Sequence, residues 1–200
     1  MSEHFQQLYE QNNDPWQVRQ RWYEQRKRAL LMASLPAPHY HHAFEPACGN
    51  GELTAALARR ADCVTASDLS PAAVELTRKR VAGLPAGRVT VACQRVPGEW
   101  PAGAAFDLIV ISEMAYYLND DELDQLRANC VNSLALSGAL VLCHWRRPIN
   151  DGSQSADAIH ASFDAVPQLN RIAHHEEADF LLDVWSLDPR SVAQHEGVTA

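Results

Sequence analysis

Three features of this 200-residue chain predict an open, mainly parallel α/β sheet with helices on both faces. Short apolar segments alternate with stretches of helical periodicity. Phe106-Asp107-Leu108-Ile109-Val110-Ile111 is a nearly continuous apolar run, as expected of a central strand covered on both sides. A tight turn, Ala47-Cys48-Gly49-Asn50-Gly51, follows an apolar segment ending in Glu45, and a second apolar segment ends in Asp68. An α/β sheet builds a nucleoside site in this way at the carboxyl ends of adjacent strands. Glycine lets the backbone approach a ligand, and a carboxylate on the second strand can accept hydrogen bonds from both ribose hydroxyls.

Asp14 and Pro15 suit the cap and first turn of a helix running to Leu35, which Pro36 and Pro38 end. Residues 42–45 form the first strand and 51–60 its helix; 63–67 form the second strand. Ser70-Pro71 caps a helix to Val81, broken by Gly83 and Pro85. Residues 89–93 are the third strand and the 106–111 run the fourth. A helix over 120–134 follows, and Gly138 marks the turn into a fifth strand at 139–143. After a loop at 148–152, a helix covers 156–163. Residues 171–175 and 180–186 pair as a closing hairpin around Glu177-Ala178. The polar tail, 189–200, is expected to fray.

Composition narrows the function. At 46% hydrophobic and 21% charged residues, the chain reads as one ordinary globular domain. A formal net charge of −8 argues against nucleic acid or an anionic membrane as partner, since neutralising phosphate needs clustered Lys and Arg. No apolar stretch is long enough to span a bilayer, and the start lacks a signal peptide's apolar core, so cytoplasmic residence is expected. The five cysteines are odd in number and widely spaced, and read as reduced, mostly buried small hydrophobes. No C-x-x-C or H-x-x-x-H pair suggests a metal; His39, His41 and His42 read as solvated.

The turn separates two ligand classes. A dinucleotide fingerprint wants a third glycine where Thr54 stands. Glu45 to Gly51 instead resembles the acid-x-G-C-G-x-G turn of class I S-adenosylmethionine-dependent methyltransferases, with Ala47 in place of the first glycine. The resemblance covers about residues 42–186. It implies a seven-stranded, mainly parallel Rossmann-like methyltransferase sheet with a C-terminal antiparallel hairpin, and S-adenosyl-L-methionine as cofactor. Glu45 would orient the cofactor's amino group. Ala47, Cys48, Gly49 and Gly51 would shape the turn beneath it, Asp68 would hold the ribose, and Leu69 would contact the cofactor. Such enzymes often place an acid after the third strand to read adenine. Here that acid is absent, which leaves Gln94, the backbone of Arg95 and Val96, or a plain surface loop. Ser112 and Glu113 would end the fourth strand over the reacting centre, with Glu113 orienting an amine and Tyr116 and Tyr117 walling the acceptor pocket.

The FDLIVISEMAYYL segment, with Asp14-Pro15-Trp16, Trp22 to Lys27, and His144-Trp145-Arg146-Arg147-Pro148 leading to His160, resembles the narrower nodulation protein S family. Those enzymes N-methylate the free amine of a de-N-acetylated chitooligosaccharide. The resemblance implies a helical lid over residues 1–40 and a cofactor-binding domain over 41–188. Trp16 would pack near the cofactor, Arg26 would pair with its carboxylate, and His144 and His160 would line the acceptor pocket. Glu113, His144 and Tyr116 are the candidate catalytic residues. The expected function is N-methylation of a small amine or amino-sugar acceptor. The alternatives are O-methylation of a small metabolite, a nicotinamide-dependent oxidoreductase and a non-catalytic nucleoside-binding protein. Oligomeric state carries no signal.

Overall fold

The computed structural model describes residues 2–149 and 152–199. Helices α1 (Ser2–Gln11) and α2 (Trp22–Ser34) precede β1 (Tyr40–Pro46), α3 (Glu52–Leu57), β2 (Ala61–Asp68), α4 (Pro71–Val81), β3 (Val89–Cys93) and β4 (Phe106–Ser112). A 3₁₀ turn, η1 (Ala115–Tyr117), leads to α5 (Asp120–Ser133), β5 (Leu134–Trp145), α6 (Ala156–Asp164), β6 (Asn170–Glu176), β7 (Phe180–Ser186) and the single-turn α7 (Val192–His195). The strands form one seven-stranded sheet in the order β3-β2-β1-β4-β5-β7-β6. Strands β1 to β5 pair in parallel; β7 pairs antiparallel with both β5 and β6. This is the expected sheet with its C-terminal hairpin. The chain reverses its direction of winding between β1 and β4, and such a switch point opens a crevice at the carboxyl ends of those strands.

Successive strand side chains point to opposite faces, so the apolar run of β4 feeds two cores. Ile109 and Ile111 join Phe44, Leu140, Leu142 and Trp185 beneath Leu123 and Leu126 of α5 and Ile159 and Phe163 of α6. Leu108 and Val110 join Ala43, Val141 and Val184 against Leu31 of α2 and Leu57 of α3. Each fully buried Val, Leu, Ile or Phe among them contributes about 1.5–3 kcal/mol.

The elements depart from expectation at four points. Helix α2 starts at Trp22 rather than Asp14. Asp14 does cap, but it caps a turn, accepting from the Val18 and Arg19 amides at 2.8 and 3.1 Å; Gln17, at φ 57°, interrupts any helix there. Helix α1 is additional to the expected elements, and Phe5, Leu8 and Tyr9 give it i, i+3, i+4 spacing. Gly138 lies inside β5, where pairing with β4 jumps from Phe106–Leu134 to Leu108–Ala139. A Cβ at that position would approach Leu134 Cδ1 to 2.9 Å. The tail carries α7, capped by Ser191. Of the expected 148–152 loop, residues 150 and 151 lie outside the described residues.

Candidate active site

The turn after β1 is built from left-handed backbone. Ala47, Gly49 and Gly51 have φ of 56, 57 and 80°. The Asp68 carboxylate ties the turn to β2, accepting from the Gly49 amide at 3.0 Å and the Ser70 amide at 2.9 Å. Glycine suits position 49 by its φ, and a Cβ there would lie 2.6 Å from the Tyr9 hydroxyl of α1, which would have to move aside. Gly51 shapes the turn from behind. It does not line the cavity; its Cα opens α3 and faces α4, where a Cβ would meet Thr77 at 3.0 Å.

Above this turn lies a cavity of about 590 Å³. Glu45, Ala47, Cys48 and Gly49 line its floor, with Asp68 and Leu69 beside them. Glu45 is 3% exposed and its Oε2 has no protein partner. Burial first, and then the nearby Asp68, pushes its carboxyl up to about 8. Asp68 is also raised, chiefly by burial, although its backbone donors oppose the shift.

Aromatic residues close the cavity from the N-terminal side. Phe5 stacks edge-on against Tyr117 at 5.0 Å between centroids, and Tyr9 against Trp16 at 5.6 Å. Gln6 Oε1 accepts from Ser70 Oγ and the Ala72 amide, anchoring α1 on α4. Trp16 thus lines the cavity. Arg26 does not. Its guanidinium pairs with Glu177 at 2.7 Å, on the turn between β6 and β7. Neighbouring helix positions point about 100° apart, so the side of α2 facing the cavity presents Lys27 instead; Arg28 also lines it. In the loop after β3, Arg95 and Val96 line the cavity, but the Arg95 amide already donates to Glu99 at 2.6 Å and its side chain pairs with Glu122. Gln94 does not line it.

The far wall is formed where β4 ends. Ser112 lines it, followed by Glu113 at φ 55°, a conformation that costs a non-glycine residue energy and often marks a functional position. The Glu113 carboxylate is held by three donors: Lys27 Nζ at 2.5 Å, Tyr116 Oη at 2.8 Å and the Trp145 amide at 3.0 Å. Lys27 also pairs with Glu24 at 3.0 Å. Burial alone would lower the Lys27 pKa, but Glu113 and Glu24 outweigh it and hold the ammonium well above the usual range. One ammonium between two carboxylates leaves this cluster with a net negative charge. Burial, reinforced by Glu113, keeps the Tyr116 phenol protonated.

His144 is corrected. It is fully buried and lines no part of the cavity, because it lies on the face of β5 covered by α6; His160 is buried beside it. Of the three histidines that open β1 and the segment before it, His39 and His41 lie against Asp62 at the surface, while His42 reaches Thr65. Lys27, Tyr23 and Trp145 line the cavity without having been singled out as site residues. All three fall within segments that resemble the nodulation protein S family, and the Glu24–Lys27 spacing is a further local signal.

The sheet order, with an acid, a glycine turn and a second acid at the switch point, defines the class I methyltransferase fold. The nodulation protein S family model matches residues 3–164, and the chain belongs to that family. Nodulation protein S of Rhizobium tropici is 32% identical over 131 residues, covering 64% of this chain and 54% of that protein. The chain therefore spans about half the length of that relative. A candidate methyltransferase from Pseudomonas syringae, known from its crystal structure, is 45% identical, with a TM-score of 0.71 over 83% of this chain and 99% of its own. The N-methyltransferase NodS from Bradyrhizobium japonicum WM9, solved with S-adenosyl-L-homocysteine, shares the fold at 24% identity, with a TM-score of 0.77 over 90% of this chain and 97% of its own. Among the described residues no helix is long and apolar enough to cross a membrane.

Proposed function

We propose that this protein is an S-adenosylmethionine-dependent N-methyltransferase of a small amine or amino-sugar acceptor, acting in the cytoplasm. The observation that carries this reading is the unpartnered, buried Oε2 of Glu45 beside a cavity also lined by Asp68. An orphaned buried carboxylate oxygen is costly unless a donor meets it, and an amino-acid ammonium is such a donor. The residues present therefore fit S-adenosyl-L-methionine: Glu45 for its amino group, Asp68 for its ribose, and Trp16, Leu69 and Val96 for apolar contact. Arg28, which lines the cavity, takes the carboxylate-binding role expected of Arg26. When bound, the cofactor supplies a methyl group already activated on a sulfonium.

The chain's own task is then positioning and electrostatics. Glu113, held on three sides, keeps a fixed carboxylate at the acceptor end. The net negative charge of Glu24, Lys27 and Glu113 favours the ammonium that forms as an amine is methylated. Tyr23 and Trp145 wall this end with rings 5.7 Å apart. Helix α1 and the segment through α2 act as a lid that excludes water. Radiolabelled methyl transfer screened over amino sugars, oligosaccharides and small amines tests the reading. A labelled N-methyl product supports it; product only on hydroxyl acceptors, or no product from a protein that binds S-adenosyl-L-homocysteine, overturns it.

A further inference from the structure

Three buried polar residues take no part in the site: His144 of β5, His160 of α6 and Asp183 of β7 are at most 3% exposed. They form one chain of hydrogen bonds. The Ala115 amide donates to His144 Nε2 at 3.3 Å; His144 Nδ1 lies 3.0 Å from His160 Nε2; His160 Nδ1 lies 2.7 Å from Asp183 Oδ2. Asp183 Oδ1 meets His174 Nδ1, at the surface, at 2.7 Å.

The proton positions follow by elimination, with ring orientations assigned from the network. A backbone amide only donates, so His144 Nε2 is bare and its proton sits on Nδ1. That proton points at His160 Nε2, which must also be bare, so the second ring carries its proton on Nδ1, toward Asp183. Both rings carry one proton each, and the Asp183 carboxylate accepts from His160 on one oxygen and from His174 on the other. Burial, then His160 and Lys27, disfavours a charge on His144. Asp157 on α6 and Arg171 on β6 are the other charged neighbours of the chain, acting on His160 and Asp183 respectively.

The first link of this chain is the one that matters for the site. Ala115 precedes Tyr116, whose ring packs edge-on against His144 at 5.5 Å and whose hydroxyl donates to Glu113. The Tyr116 carbonyl in turn accepts from the Ser153 and Gln154 amides ahead of α6. We propose that His144 and His160, oriented by Asp183, are positioning residues that lock turn η1 and so hold Tyr116 against Glu113 at the acceptor end of the cavity. The chain stops at a backbone amide and does not touch Glu113, so it holds geometry and does not carry protons out of the site. The assignment of that end as the acceptor's rests on the proposed methyl transfer; the hydrogen-bond chain does not.

The test needs no acceptor, so its failure is separate from failure of that reading. Long-range proton–nitrogen spectra of the wild-type protein at pH 7.5 should show two buried rings with protonated Nδ1 and bare Nε2, both absent as a pair in His144→Gln. His144→Phe should speed exchange of the Ala115 amide by about fivefold to tenfold, the loss of one hydrogen bond, and shift the Tyr116 Cζ resonance. His144→Gln, which returns an acceptor at the ε position, should restore most of the protection. Affinity for S-adenosyl-L-homocysteine should stay within about twofold in both variants, since the cofactor end is built by other strands. A charged ring or an Nε2-protonated tautomer overturns the proposal, as does unchanged Ala115 exchange in folded His144→Phe. If that variant does not fold, the wild-type spectrum decides.

Discussion

Cofactor binding should release a proton, and the amount follows from Glu45. Burial and Asp68 raise this carboxyl to about 8 in the ligand-free protein. At pH 7 such a group is about nine-tenths protonated. An ammonium seated on its unpartnered oxygen requires the carboxylate form. Binding of S-adenosyl-L-homocysteine at pH 7 should therefore release about 0.9 proton, and affinity should rise roughly tenfold from pH 6 to pH 7. The ligand-free fold responds in the opposite sense. The folded value lies above the ordinary 4.5, so the native state binds more protons than the unfolded one in that interval. Glu45's contribution to stability is present below about 4.5 and is lost as pH rises through about 8. Glu45→Gln should abolish the proton release and flatten the affinity profile. At pH 8.5 it should bind about 10- to 100-fold more weakly, reflecting a lost charged hydrogen bond of about 1.5–3 kcal/mol. At pH 6 the gap should narrow, because the wild type must first ionise. Calorimetry in two buffers of different ionisation enthalpy measures the released proton directly. Equal heats in both buffers, with affinity flat between pH 6 and 7.5, would refute the assignment of Glu45 to the cofactor's amino group.

Asp68→Ala should lower S-adenosyl-L-homocysteine affinity at least tenfold, since it removes hydrogen bonds to a charged group; unchanged calorimetric affinity in a folded variant removes Asp68 from the site. Arg26→Ala should leave that affinity unchanged, because its guanidinium is engaged by Glu177, while Arg28→Ala should weaken it; the reverse pattern restores Arg26 to the cofactor site. Glu113→Gln should keep cofactor affinity and lower turnover by about 10²-fold, measured on one preparation with whichever amine the screen identifies; normal turnover excludes Glu113 from the mechanism. Lys27→Met leaves the Glu113 carboxylate without its ammonium and should cost roughly 1–3 kcal/mol, between the exposed and buried limits; denaturant melts should show part of this recovered in Lys27→Met/Glu113→Gln. Hydrogen exchange over Trp16 to Arg26 should slow when S-adenosyl-L-homocysteine binds, and identical exchange with and without it would end the lid proposal.

Features whose cause is local were legible in the chain alone. The apolar run of β4 announced a central strand because burial on both faces leaves no polar alternation. The glycine turn and its flanking acids were legible because left-handed backbone and strand-end carboxylates are written in adjacent residues. Asp68 and Glu45 could therefore be named, and both line the cavity. Whatever depends on direction or on distant partners emerges only when the elements pack. Arg26 and Lys27 are neighbours in sequence, yet the rotation of one helical residue sends the first to Glu177 and the second to Glu113. His144, expected at the acceptor pocket, was withdrawn from it by α6 and joined to His160 and Asp183, partners 16 and 39 positions further along the chain. Those contacts exist only because β7 pairs between β5 and β6, a sheet order that brings a buried carboxylate within reach of α6. Side-chain chemistry is carried by single residues, but a hydrogen-bond network needs several of them to converge, and only the packed sheet supplies that convergence.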